Sequence, residues 1–156
     1  MARRDDGDHV GEAIAVYGSN KGPGRGRPAS GGLGLRLGVA VAVGDSNGDG
    51  REDIAAPGRP VKVLLGGKDG LSTSRTLTID RSALGLDRLP RGYDDGFGWD
   101  LHLADLDTDG RDELLISTKT SYKPPKDDGY WILRGTKDGP STTDRRFIKT
   151  KDFGEG

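Results

Sequence analysis

Two short segments of the chain place oxygen-bearing side chains at alternate positions. The first is Asp45-Ser46-Asn47-Gly48-Asp49-Gly50-Arg51-Glu52-Asp53, and the second is Asp105-Leu106-Asp107-Thr108-Asp109-Gly110-Arg111-Asp112-Glu113. Each is nine residues long, with Asp, Asn or Glu at positions 1, 3, 5 and 9 and glycine at position 6. Alternate residues of a tight loop converge on one point, and glycine at position 6 permits the positive φ of a sharp turn. Calcium is the hard cation such a cage suits, since it takes about six to eight oxygens at roughly 2.3–2.6 Å. The backbone carbonyl of position 7 completes each set, and the arginine side chain there can point outward. The expected ligands are Asp45, Asn47, Asp49, Arg51 and Asp53 for one Ca2+, and Asp105, Asp107, Asp109, Arg111 and Glu113 for another.

Asp-Gly and Asn-Gly pairs also form plain turns. Converging carboxylates repel one another without a cation, however, and the same spacing occurs twice. An EF-hand loop shares positions 1, 3, 5 and 6, but it needs a bidentate glutamate at position 12 and flanking helices. Position 12 is Ala56 in one loop and Ile116 in the other, and the flanks alternate with period two.

The elements that must hold these loops read as short strands. Val39, Val41 and Val43 alternate with small residues before the first loop, and Trp99, Leu101 and Leu103 alternate with Asp100 and His102 before the second. After the loops come apolar runs at 54–56 and 114–116, further runs at 61–65 and 130–133, and last strands at 76–79 and 146–149. Glycine turns at 66–70 and 135–139 separate the later strands. Leu37-Gly38 and Phe97-Gly98 each stand eight residues before a loop, and Phe153-Gly154 opens what looks like a third copy. That repeat implies about four strands per copy, the pattern of a propeller blade. The expected organisation is residues 1–36 as the second half of a preceding blade with a Gly/Pro/Arg-rich linker at 21–34. Blades at 37–96 and 97–152 follow, then the start of another repeat at 153–156. In the first piece, Ala13 to Tyr17 matches a third strand, and no fourth strand is evident.

Composition supports this picture. Only 31% of the residues are hydrophobic, while 27 of 156 are glycine and 8 are proline, gathered at turns. The net charge of −1 gives no reason to expect nucleic acid as a partner. The basic excess from Lys119 onward reads as a solvated face. Cysteine is absent, which excludes disulfides and thiolate metal sites. No apolar run reaches the ~20 residues of a membrane span, and the Met1–Asp6 start is not a signal peptide.

With loop, period and strands in place, the chain resembles the FG-GAP repeats of the integrin alpha-subunit β-propeller and their bacterial relatives. The matching residues are Phe97-Gly98 with Asp105 to Glu113, Leu37-Gly38 with Asp45 to Asp53, and Ala56-Pro57-Gly58 where that family has Gly-Ala-Pro. Leu37, Ser117-Thr118-Lys119 and Glu113 depart from the family pattern. The resemblance implies a seven-bladed all-β propeller with calcium in loops on one face. It also implies a non-catalytic role in adhesion or in recognition of a protein or carbohydrate ligand, usually in secreted or extracellular settings.

The competing class is an enzyme, or an accessory or lectin-like domain of a secreted one. His9 lies in the irregular N-terminal stretch, His102 reads as a polar-face strand residue, and Asp94-Asp95 reads as a solvated turn. No nucleophile elbow, phosphate loop or His-rich zinc pattern is present. Trp99 and Trp131 could stack on a sugar, although the blade core is the expected place for both. The expectation is therefore a non-catalytic calcium-binding partial propeller: two four-stranded blades plus half of a preceding one. Such a chain would not close a ring alone, and would expose Val, Leu and Trp on its outer faces. It would either self-assemble or form part of a longer propeller.

Overall fold

The computed structural model describes residues 14–15, 18–19, 22–23, 27–28, 41–71, 73–88, 96–118 and 128–153. The expectations on His9, Leu37-Gly38, Val39, Asp94-Asp95, Gly154 and most of the 21–34 linker lie outside these residues.

Near the N-terminus, β1 (Ile14–Ala15) and β2 (Gly18–Ser19) are followed by β3 (Gly22–Pro23) and β4 (Arg27–Pro28). β2 pairs with β3, and β1 pairs antiparallel with β4. Residues 27–28, where the sequence shows no strand pattern, thus lie beside the expected strand at 14–15.

Two antiparallel meanders make up the rest. The first runs β5 (Ala42–Gly44), β6 (Asp53–Ala56), β7 (Val61–Leu64) and β8 (Thr76–Ile79), paired in chain order. The second runs β9 (Leu101–Ala104), β10 (Glu113–Thr118), β11 (Gly129–Thr136) and β12 (Gly139–Lys149), again in chain order. No α-helix occurs among the described residues, only 3-10 turns at Thr73–Arg75, Ser82–Leu84 and Thr150–Phe153.

Period two is visible in the burial. Val61 and Val63 are fully buried around a half-exposed Lys62, and Leu114 and Ile116 are fully buried around a half-exposed Leu115. β6 stops at Ala56 because Pro57 has no N–H to continue the ladder. β10 continues through Ser117 and Thr118, where the first copy has Pro57 and Gly58. β12 is much longer than the expected 146–149, and as an edge strand it tolerates Pro140.

One core joins the sheets. Ala42, Ala55, Val61, Val63, Leu65 and Ile79 of the first copy meet Leu101, Leu114, Ile116 and Leu133 of the second. Each such Val, Leu or Ile contributes roughly 1.5–3 kcal/mol on burial. The two copies do not present equivalent faces to this core. Counting from the first aspartate of each loop, Val41 corresponds to Leu101, Ile54 to Leu114 and Ala55 to Leu115. The first sheet uses its Ala42/Ala55 face, and the second uses its Leu101/Leu114 face. The repeats therefore stack head to tail, like successive members of a series rather than mirror partners.

Two side-chain placements differ from the sequence reading. β5 turns Ala42 and Gly44 inward and leaves Val41 and Val43 exposed, at 44% and 53%. The inward side has no room for more: a Cβ on Gly44 would collide with the Asp112 carboxylate and Leu103. A strand cannot change one side chain's face without changing all of them, so the valines face out. Trp99 is 56% exposed rather than in the core. Trp131 does pack against the core, with its ring 5.1 Å from Phe147 and the Arg145 guanidinium 5.7 Å from its centroid.

Candidate metal centre

Both acidic segments form the turn between the first and second strands of their sheets, at the same end of each meander. Their internal bonding is nearly identical. In the first loop, Asp45 Oδ1 accepts from the N–H of Gly48 at 2.8 Å and of Asp49 at 3.1 Å, and Oδ2 accepts from Gly50 N–H at 2.7 Å. Asn47 Oδ1 accepts from Asp49 N–H, and Asp49 Oδ1 from Arg51 N–H, both at 3.0 Å. In the second loop Asp105 accepts from Asp109 and Gly110, Asp107 from Asp109, and Asp109 from Arg111. The backbone has positive φ at position 6, Gly50 and Gly110, as the sequence requires, and also at position 4, Gly48 and Thr108. Thr108 holds φ 61° although it is β-branched, so the loop geometry overrides a local steric penalty there.

Position 9 has a different setting. Asp53 is fully buried; its Oδ2 accepts from Ser46 N–H at 3.0 Å and Ser46 Oγ at 2.5 Å, and its Oδ1 from Gly66 N–H at 2.7 Å. Glu113, also buried, repeats this: Oε2 accepts from Leu106 N–H at 2.9 Å and Oε1 from Gly135 N–H at 3.3 Å. Each carboxylate ties position 2 of its loop to a glycine near the end of the third strand, Gly66 just past β7 and Gly135 within β11. Burial pushes the Asp53 carboxyl up from its ordinary value, against the lowering effect of these hydrogen bonds. Carboxylates keep further lone pairs beyond these bonds, more of them on Glu113 than on Asp53.

Among the described residues the structure gathers one cluster of three metal-ligating side chains, in the second loop; Asp45, Asp49 and Asp53 of the first loop do not form one, and Glu113 is not part of the second. Oxygens of Asp105, Asp107 and Asp109 all lie within 4.8 Å of one another, and all three residues are exposed. Protein cations neighbour them. Arg134 Nη2 lies 3.3 Å from Asp107 Oδ2 and 3.1 Å from Asp109 Oδ2, with its Nη1 3.9 Å from Asp144. Arg111 Nη1 lies 3.5 Å from Asp109. The Arg134 hydrogen bond holds the Asp109 carboxyl below its ordinary value, and the same bond raises the guanidinium's. In the first loop Asp45 and Asp49 flank the neutral Asn47, and the ion pair present is Arg51 to Asp49 at 3.8 Å. Arg111 does not point outward: its Cγ would lie 3.0 Å from a Cβ on Gly48, which places it against the first loop.

The loops are also joined directly. Asp45 N–H donates to Asp112 Oδ2, and Asp112 N–H donates to Asp45 O, both at 2.9 Å. Neither Asp112 nor Arg134 stands out in a single reading of the chain. Comparing the copies position by position would have found Arg134, because it occupies the place that Leu65 holds in the first sheet.

This donor set suits a hard cation. The three clustered carboxylates supply oxygens only, and a guanidinium already stands in as their positive charge, so the cluster can hold a metal ion. The loops lead into strands on both sides, which leaves no flanking helices for an EF-hand. His102 is exposed on β9, 3.3 Å from Asp100 Oδ2, which also accepts from Tyr130 OH at 2.8 Å. That hydrogen bond is the main reason the Tyr130 hydroxyl lies above its ordinary value. Among the described residues, no helix is long and apolar enough to cross a membrane. What fold and site define is an all-β protein with two stacked, repeat-like four-stranded sheets and an acidic cluster able to bind a metal. No family model matches the chain, and no curated protein or solved structure gives a significant match.

Proposed function

We propose that this chain is a non-catalytic, calcium-stabilised repeat module of the propeller type, serving recognition of a protein or another ligand. The observation that carries the reading is the doubled loop. Two nine-residue acidic turns share one internal bonding scheme, one buried anchor and one place in the sheet. Calcium would be held by Asp45, Asn47 and Asp49, the Arg51 carbonyl and Asp53, and by Asp105, Asp107 and Asp109, the Arg111 carbonyl and Glu113. The ion would supply the positive charge that lets these oxygens converge. The head-to-tail stacking of the sheets fits blades of a propeller, as the FG-GAP resemblance implies, and extracellular adhesion is the role that resemblance suggests.

Thermal melts with calcium and with chelator test the metal. At 100 times the dissociation constant, one site adds about 2.7 kcal/mol. The calcium melt should lie higher, and Asp49→Ala or Asp109→Ala should shrink the gap; identical wild-type melts would reject calcium.

Exposed Trp99 favours a second reading, a lectin-like surface. Quenching of tryptophan fluorescence by oligosaccharides, abolished in Trp99→Ala, would support it.

A further inference from the structure

The two loops differ in a matched pair of positions. Where the first has neutral Asn47, the second has the carboxylate Asp107. Where the first sheet has buried Leu65, the second has exposed Arg134, whose guanidinium bridges Asp107 and Asp109 at 3.3 and 3.1 Å. The extra negative charge and the extra positive charge therefore occur together, in one copy only. We propose that Arg134 is a built-in competitor for the cation at the second loop, so that the two calcium sites are unequal and the first fills before the second. The inference rests on the calcium reading of the loops above.

The chemistry is competition for the same oxygens. Asp107 Oδ2 and Asp109 Oδ2 are the atoms Arg134 contacts, and both belong to the cluster whose oxygens lie within 4.8 Å of each other. A divalent ion entering that cluster either displaces the guanidinium or sits beside it, and both oppose binding. Displacement is feasible because the side chain is exposed and Asp144 lies 3.9 Å from Nη1, so the guanidinium keeps a carboxylate partner after leaving. In the first loop no guanidinium bridges two carboxylates: Leu65 carries no charge, Arg51 donates to the Asp49 carbonyl at 3.3 Å and reaches its carboxylate at 3.8 Å, and Arg111 packs against Gly48. Calcium occupancy of the second loop then reports a higher calcium level than occupancy of the first.

Calorimetric calcium titration of the full chain tests this in the wild type, Asp49→Ala, Asp109→Ala, Arg134→Gln and Arg134→Lys. The wild type should show two classes of site, the tighter lost in Asp49→Ala and the weaker lost in Asp109→Ala. Arg134→Gln should tighten the weaker class about tenfold, the order expected when a unit charge beside a divalent ion is removed, and leave the tighter class unchanged. Arg134→Lys keeps the charge and should stay near the wild type, whereas a purely structural role would move both variants alike. A weaker class unmoved by Arg134→Gln, or wild-type loops of equal affinity, would overturn the competition and leave the calcium reading intact. No saturable heat in any variant would overturn both.

Discussion

A carboxylate persists inside a fold only when donors surround it, and the position-9 residues show how this chain arranges that. Asp53 takes hydrogen bonds from Ser46 N–H, Ser46 Oγ and Gly66 N–H while fully buried. Removing it orphans these donors, each at about 1–3 kcal/mol, so Asp53→Ala should lower unfolding stability by about 2–4 kcal/mol. Glu113→Ala, which frees fewer donors, should lose about 1–3 kcal/mol. Urea unfolding in chelator checks both; a loss seen only in calcium would mean that position 9 acts solely as a ligand. The sequence made these residues visible as candidate ligands through their spacing. It could not show the anchoring, because the donating glycines lie 13 and 22 residues further along the chain. The acidic cluster itself was legible, since positions 1, 3 and 5 are neighbours by local geometry. Arg134 was not, since only strand pairing brings it to Asp109, 25 residues away.

Strands were legible where alternation coincided with a buried face, as at Val61 and Val63, and β8 has the bounds the sequence implied. β5 shows the limit. Val41 and Val43 alternate as clearly as any core pair, yet which face of a strand turns inward depends on what stands opposite, and there it is Asp112 and Leu103. Leu84 shows another limit, because no periodicity marks it. It is carried on the 3-10 turn Ser82–Leu84, which Gly85 closes in the left-handed conformation, φ 68°. The turn drops Leu84 into the shared core at 1% exposure, and its carbonyl accepts from Arg145 Nη2 at 3.1 Å, linking it to β12. Leu84→Ala should therefore destabilise the chain by about 2–5 kcal/mol, although it lies in no strand. The measurement is a denaturant midpoint at unchanged slope; a shift under about 0.5 kcal/mol would place the turn outside the cooperative core.

At the scale of the whole molecule, head-to-tail stacking leaves each sheet with one face turned away from the other. Such an interface repeats indefinitely or closes into a ring unless something stops it. The outward face of the second sheet carries a stop. Where the first sheet's packed face has Ala42, Val61, Leu65 and Leu77, the second has His102, Tyr130, Arg134 and Arg146 at the corresponding positions, while Leu115, Ile132 and Ile148 keep the apolar character of Ala55, Val63 and Ile79. His102, Arg134 and Arg146 are exposed. Burying Arg146 and the Arg134–Asp107–Asp109 group against another sheet would strip their hydration, and the apolar face opposite offers no polar partners in return. The opposite face of the first sheet keeps the apolar character of a stacking surface, with Val41 and Val43 exposed at the places where the second sheet packs Leu101 and Leu103. These charges oppose adding the second sheet of one copy to the first sheet of another, and sedimentation should give the mass of a single chain, 16.6 kDa. Converting the polar face to its apolar counterpart supplies the positive control. The triple variant His102→Ala, Arg134→Leu, Arg146→Leu should associate with increasing concentration, and Val43→Asp added to it should reverse that association by charging the opposing face. A wild-type chain that already sediments as a discrete oligomer, with Val43→Asp dissociating it, would show that the polar face does not act as a stop.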